Sequence, residues 1–124
     1  MANIQKKKTL VLGASSNPNR YSYLAIGRLR SLKHPVVGIG KRTGKVADVD
    51  IVVDRPAEED IDTVTLYMSA ANQKQYYDYI LSLHPKRIIF NPGAENDELD
   101  DLATKNGIKT MEACTLVMLG TGQY

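Results

Sequence analysis

Short apolar runs alternate with longer stretches of mixed polarity along most of the chain. Thr9 to Leu12 is a β-favouring run stopped by Gly13, the pattern of a strand buried on both faces. Beyond the loop Gly13 to Asn19, the apolar residues Tyr21, Leu24, Ala25, Leu29 and Leu32 fall on one helical face, and that helix ends before His34-Pro35. Val36 to Ile39 is a second strand, closed by Gly40 and followed by a basic, Gly-containing loop. Ile51 to Val53, flanked by Asp residues and followed by Pro56, reads as a short edge strand. Thr63 to Met68 reads as a core strand. Ser69 can cap the next segment, where Tyr76, Tyr77, Ile80, Leu81 and His84 form a helical stripe that stops at Pro85. Arg87 to Phe90 is another buried strand. Asn96 then suits an N-cap, Asp97 and Glu98 the positive end of a helix dipole, Leu99, Leu102 and Ala103 a buried face, and Asn106-Gly107 a terminator. Lys109 to Met111 is the last predicted strand.

Strands separated by helices imply right-handed crossovers and parallel pairing. The expected architecture is α/β: a Rossmann-like, doubly wound, mainly parallel sheet with helices on both faces. With 124 residues, 43% of them hydrophobic, the chain suits one domain over 1–124 with a core of its own. No repeat or linker breaks it.

Composition narrows the function by exclusion. One cysteine, Cys114, cannot close an internal disulfide, no apolar run reaches the ~18 residues of a membrane span, and polar, basic Met1 to Lys8 resembles no secretory signal. A soluble cytoplasmic protein is expected, with no membrane contact. The net charge of +2 is too small to argue for nucleic acid. Lys6, Lys7 and Lys8 read as a solvated tail, and the acids of Glu58 to Asp62 and Glu95 to Asp101 as solvated faces and dipole partners.

In a parallel sheet, ligands sit beyond the carboxyl ends of the strands. The loop Gly13-Ala14-Ser15-Ser16-Asn17-Pro18-Asn19 is small enough for backbone amides to approach a phosphate at a helix N-terminus, though it is neither a full G-x-G-x-x-G nor a P-loop. After the second strand the chain reads Gly38-Ile39-Gly40-Lys41-Arg42 and has no acid before Asp48. An NAD site places a carboxylate there; two cations suit a phosphorylated ribose, as in NADP or coenzyme A with its 3′-phosphate. The loops Met68-Ser69-Ala70-Ala71 and Asn91-Pro92-Gly93-Ala94-Glu95 lie on the same edge, where small residues suit a thin pantetheine arm, a nicotinamide, or plain turns.

Catalytic groups are scarce. His34 and His84 precede prolines at strand starts, on the edge away from these loops, and read as surface turns. Cys114 reads as a small buried position or, more sharply, as a thiol near a bound thioester. No metal-ligand spacing and no nucleophile with its base is present, so no catalytic or metal residues are assigned.

Leu10-Val11-Leu12-Gly13-Ala14-Ser15, Asn19-Arg20-Tyr21-Ser22-Tyr23, Asn91-Pro92-Gly93-Ala94-Glu95-Asn96 and Ala113-Cys114-Thr115 resemble, in order, the CoA-binding domain family. These are small stand-alone Rossmann proteins similar to the N-terminal CoA-binding domain of the succinyl-CoA synthetase alpha subunit. The resemblance implies that Gly13, Ala14, Ser15 and Ser16 hold the CoA diphosphate with Arg20 and Ser22 nearby. Lys41, between Gly40 and Arg42, meets the ribose phosphate. Met68 and Ser69 lie beside adenine or pantetheine, and Pro92 and Gly93 along the arm. Two positions depart from the family pattern: Ile39-Gly40 replaces Asn-Pro, and Asn91 replaces Gln. The synthetase's phosphorylatable-His domain and ATP-grasp partner have no room here. The expected function is therefore binding of coenzyme A or an acyl-CoA without ligation, alone, as a homo-oligomer or with a protein partner. An NADP-binding reductase or reductase subunit, and a degenerate Rossmann domain used for protein contacts, are the alternatives.

Overall fold

A computed structural model describes residues 5–124; of the basic opening segment, residues 1–4 lie outside it. The described strands are β1 (Thr9–Leu12), β2 (Val36–Ile39), β3 (Gly44–Val46), β4 (Val49–Val52), β5 (Thr63–Leu66), β6 (Arg87–Phe90) and β7 (Lys109–Glu112). The helices are α1 (Tyr21–Ser31), α2 (Ala70–Gln73), α3 (Tyr77–Ser82), α4 (Asp97–Lys105) and α5 (Thr115–Gly120), with a 3₁₀ turn, Lys74–Tyr76, joining α2 to α3. One sheet runs β3-β4-β2-β1-β5-β6-β7, and every pair is parallel except β3 with β4. Ranked among themselves, the parallel strands run 3-2-1-4-5-6, the Rossmann order, which reverses between β1 and β5.

The period-two alternation of each strand builds the two faces. Leu10, Leu12, Val64, Leu66, Ile88 and Phe90 pack on one side with Ile80, Leu83, Leu99 and Ala103. On the other, Val11 packs with Ile26 and Leu29 of α1 and Leu119 of α5. There β5 and β6 present Thr63, Thr65 and Arg87, a polar column that closes on itself. The Thr65 and Thr115 hydroxyls lie 2.8 Å apart, and Arg87 Nε donates to Thr63 Oγ1 at 2.7 Å. The Arg87 guanidinium lies 4.4 Å from the Tyr124 ring centroid, so a π face meets the group whose Nη2 has no hydrogen-bond partner.

Several expectations are corrected. β4 is not the edge: the basic loop forms β3, which covers it, an element hidden by having only Val46 as an apolar residue. On α1 the buried positions are Ser22, Ala25, Ile26 and Leu29, whereas Tyr21 and Leu24 are exposed; the polar Ser22 disguised the true face. The helix α5 went unpredicted. Lys6 to Lys8 are no free tail, because Lys6 Nζ donates to the Leu32 carbonyl at 2.7 Å, Lys7 Nζ to the Tyr124 carbonyl, and Lys8 pairs with Glu58 at 2.9 Å. His34 is buried rather than a surface turn, and the Lys7 backbone N–H donates to its Nδ1 at 2.9 Å. Asn96 does cap α4, its side chain accepting from the Leu99 N–H.

Both α1 and α4 end in Schellman geometry. At α4 the left-handed position is Gly107; at α1 it is Lys33, with φ 68°, while Lys33 N–H bonds Arg30 O and His34 N–H bonds Leu29 O. Lys33→Gly relieves the Cβ strain of that conformation and is expected to stabilise the protein by about 0.5–1 kcal/mol, offset in part by unfolded-state entropy. A thermal melt at neutral pH checks it.

Burial lowers the His34 pKa, and the charges of Lys6, Lys7 and Arg87 lower it further, against a smaller opposite pull from Asp62. The unfolded chain therefore takes the proton first. Stability is full above the ordinary histidine value of about 6.5 and falls as pH drops from there towards the folded-state pKa. Protonation at Nδ1 also deletes the bond from Lys7. His34→Gln, which keeps an acceptor, is expected to flatten that slope in melts taken from about pH 7 to pH 5.

Candidate functional site

The close approach of three strand ends shapes the site. Gly13 and Ala14 N–H both donate to Ile39 O, at 2.9 and 2.8 Å, and Tyr67 N–H donates to Leu12 O at 2.8 Å. A Cβ on Gly40 would stand 2.1 Å from the Ala14 carbonyl oxygen, and one on Gly13, whose φ is +94°, 2.7 Å from the Tyr67 carbonyl oxygen. Only glycine fits at either position. The Gly40 that replaces the family's proline is thus a packing requirement of the first loop.

Beyond these ends, at the reversal of strand order, lies a cleft of about 810 Å³, within the size range of small-molecule sites. Gly13, Ala14, Ser15, Ser16, Arg20, Ser22, Gly40, Lys41, Arg42, Met68, Ser69, Pro92 and Gly93 all line it, so the thirteen residues expected to bind a nucleotide face one space, whereas Ala70, Ala71 and Glu95 of the same loops do not. The first turn of α1 enters this lining. Arg20 at its N-cap makes no side-chain capping bond, and the turn contains no acid. The positive end of its dipole therefore lies at the cleft, uncompensated by a carboxylate in the first turn.

The electrostatics are one-sided. Arg20, Lys41 and Arg42 are exposed, take part in no ion pair among the described residues, and share the cleft with no Asp or Glu. A smaller hollow of about 340 Å³ beside β4 has the opposite character, lined by Asp48, Asp50, Asp54 and Glu58. An anion is drawn to the first and repelled by the second.

Sequence reasoning missed Tyr67, Asn72, Gln75 and Tyr76, which also line the cleft. Tyr76, read as core stripe, does pack partly against the core, and the Arg55 guanidinium lies over its ring at 4.4 Å from the centroid. Tyr67 directly follows β5 beneath the first loop; its buried hydroxyl makes no regular hydrogen bond, and burial pushes its pKa up to about 12, against the smaller effect of the Thr115 and Thr65 hydroxyls. It stays a neutral phenol at pH 7.

Asn91 faces inward. Its Nδ2 donates to Thr65 Oγ1 at 2.7 Å and Leu66 O at 2.8 Å, and its Oδ1 accepts from Thr115 N–H at 2.9 Å, tying β5, β6 and α5 together below the cleft. Pro92 and Gly93 form the centre of a type II turn, with Gly93 at φ +92° and Ala94 N–H bonded to Asn91 O. His34, His84 and Cys114 do not line the cleft. Cys114 is half-buried at the N-cap of α5.

A family model described as CoA binding domain matches residues 7–120. The chain belongs to that family. Family membership carries coenzyme A binding in general and a small-molecule nucleotide ligand. Among solved structures, an uncharacterized protein is 50% identical over 98% of this chain and 100% of its own, with a TM-score of 0.94. A Thermus thermophilus protein is 17% identical over 96% of this chain and 91% of its own, with a TM-score of 0.85. A conserved hypothetical protein from Pyrococcus furiosus is 21% identical over 90% of this chain and 97% of its own, at 0.77. The last two likenesses show the fold. No curated protein matches the chain. Among the described residues, no helix is long and apolar enough to cross a membrane.

The glycine geometry carries a prediction. Gly13→Ala forces a Cβ against the Tyr67 backbone at a left-handed φ and is expected to cost on the order of 2–4 kcal/mol. Denaturant unfolding monitored by circular dichroism measures it.

Proposed function

We propose that the cleft binds coenzyme A or an acyl-CoA, and that it does so without catalysing ligation. The observation that carries this reading is the set of three unpaired cations, Arg20, Lys41 and Arg42, in a cleft without carboxylates at the strand-order reversal of a CoA-binding-family fold. The ligand's charge supports it: a diphosphate and a 3′-phosphate need two cationic grips some distance apart. The Gly13–Ser16 loop and the α1 N-terminus, with Arg20 and Ser22, take the diphosphate. Lys41 and Arg42, beyond Gly40, take the 3′-phosphate. The pantetheine arm then crosses the ends of β5 and β6, past Met68 and Ser69 to Pro92 and Gly93. The lining contains no Cys, His, Asp or Glu, and its one buried phenol stays protonated, so the cleft holds no base at neutral pH. Such a cytoplasmic binding module acts by passing its occupancy to a protein partner or a second copy of itself. NADP is the second reading, favoured by the same cations after β2.

Thermal unfolding with coenzyme A, acetyl-CoA, dephospho-CoA, NADP and NAD in parallel tests both. A ligand at a hundred times its Kd adds about 2.7 kcal/mol, which raises the midpoint of a domain this size by about 10 °C. The expected result is a rise with coenzyme A that shrinks with dephospho-CoA. Lys41→Ala is expected to weaken coenzyme A about tenfold, roughly one charge-assisted bond, and dephospho-CoA far less. A rise with NADP alone selects the reductase reading, and equal losses for the two CoA forms remove Lys41 from the phosphate grip.

A further inference from the structure

Gln73, the last residue of α2, is fully buried, yet it carries an amide. A buried polar group persists only where its bonds are made, and those of Gln73 reach both loops at one end of the cleft. Its Nε2 donates to Met68 O at 2.8 Å and to Ala94 O at 2.7 Å. Its Oε1 accepts from Asn96 Nδ2 at 2.9 Å. Asn96 Nδ2 also donates to the Tyr77 hydroxyl at 2.8 Å, while its Oδ1 accepts from Leu99 N–H at 3.2 Å, capping α4.

The chain of donors has one direction. The Leu99 amide can only donate, which fixes the Asn96 amide; Asn96 then presents a donor, which fixes Gln73 with both its N–H groups towards two carbonyls. Met68 and Ala94 line the cleft on the loops after β5 and β6. Lys41 and Arg42 stand beyond β2, with β1 between. Gln73 therefore governs one end of the cleft and leaves the cationic end to its own contacts.

We infer that Gln73 is a positioning residue that sets the spacing of the Met68–Ser69 and Pro92–Ala94 loops, and through it the grip on the pantetheine arm, separately from the phosphate grip. The inference rests on the coenzyme A reading above. Gln73→Leu keeps the approximate volume but leaves the Met68 and Ala94 carbonyls without their donor, so the loops part or admit water.

Calorimetric titration of the full chain with coenzyme A and with 3′-phospho-ADP, which lacks the arm, separates the two grips. In Gln73→Leu, coenzyme A affinity is expected to fall about tenfold, with 3′-phospho-ADP affinity held within about twofold. Equal losses of both ligands, or no loss of either, overturn the inference. Tyr77→Phe removes only one of the outer partners of Asn96 and serves where Gln73→Leu does not fold. It is expected to lower coenzyme A affinity alone, by about threefold, and an unchanged or equal effect on both ligands overturns the inference. If the unaltered protein binds 3′-phospho-ADP and coenzyme A equally well, the arm has no grip to position and the inference falls while the phosphate reading stands. If it binds neither, the coenzyme A reading falls and takes the inference with it.

Discussion

Three strand ends meet backbone to backbone at Gly13, Gly40 and Tyr67, and the rest of the site depends on that contact. Ile39 O accepts two amide hydrogens from the first loop, and the Ala14 carbonyl stands where a side chain on Gly40 would have to be. No rotamer change can relieve such a contact, because the colliding atoms belong to the main chain. The loop after β1 is thereby held close to the sheet, the first turn of α1 is brought to the cleft, and the basic loop after β2 leaves in a set direction. Electrostatics then act on a frame already fixed by sterics: Arg20, Lys41 and Arg42 are exposed and make no ion pair among the described residues, so their charges remain available to a ligand.

Buried amides fix the other end of the cleft. Asn91 joins β5, β6 and α5, and Gln73 joins the two loops above them. Both accept or donate at every polar atom, which is the condition under which a buried polar network rigidifies a structure. The face of β5 and β6 beneath is polar too, with Thr65 met by Thr115, Thr63 by Arg87, and the Arg87 guanidinium by the Tyr124 ring.

The strands and the loops between them were legible because their signals are local. Thr9 to Leu12, Val36 to Ile39 and Arg87 to Phe90 are apolar runs bounded by glycine, proline or asparagine, and the site loops follow from them by the geometry of parallel sheets. β3 was not legible, since its pairing comes from β4 and its own sequence is basic and glycine-containing. The inward face of α1 was disguised by Ser22, and α5 by an apolar run whose helical state depends on packing against α1. His34 and Lys6 to Lys8 were misread because their partners, Leu32, Glu58, Tyr124 and one another, lie far away in sequence. Gln73 gave no signal at all: one glutamine of the polar stretch Asn72 to Gln75 says nothing until two loops converge on it.

The placement of Lys41 and Arg42 on the connection between β2 and β3 bears on how such a protein can change its ligand. That connection leads into an antiparallel ribbon at the rim of the sheet, outside the run of crossovers that builds the core. Lengthening it costs little chain entropy, about 0.6 kcal/mol for each doubling. On the proposed reading, the two cations that would meet the far phosphate sit on a replaceable cassette, where selectivity among phosphorylated cofactors could drift while the scaffold stays the same.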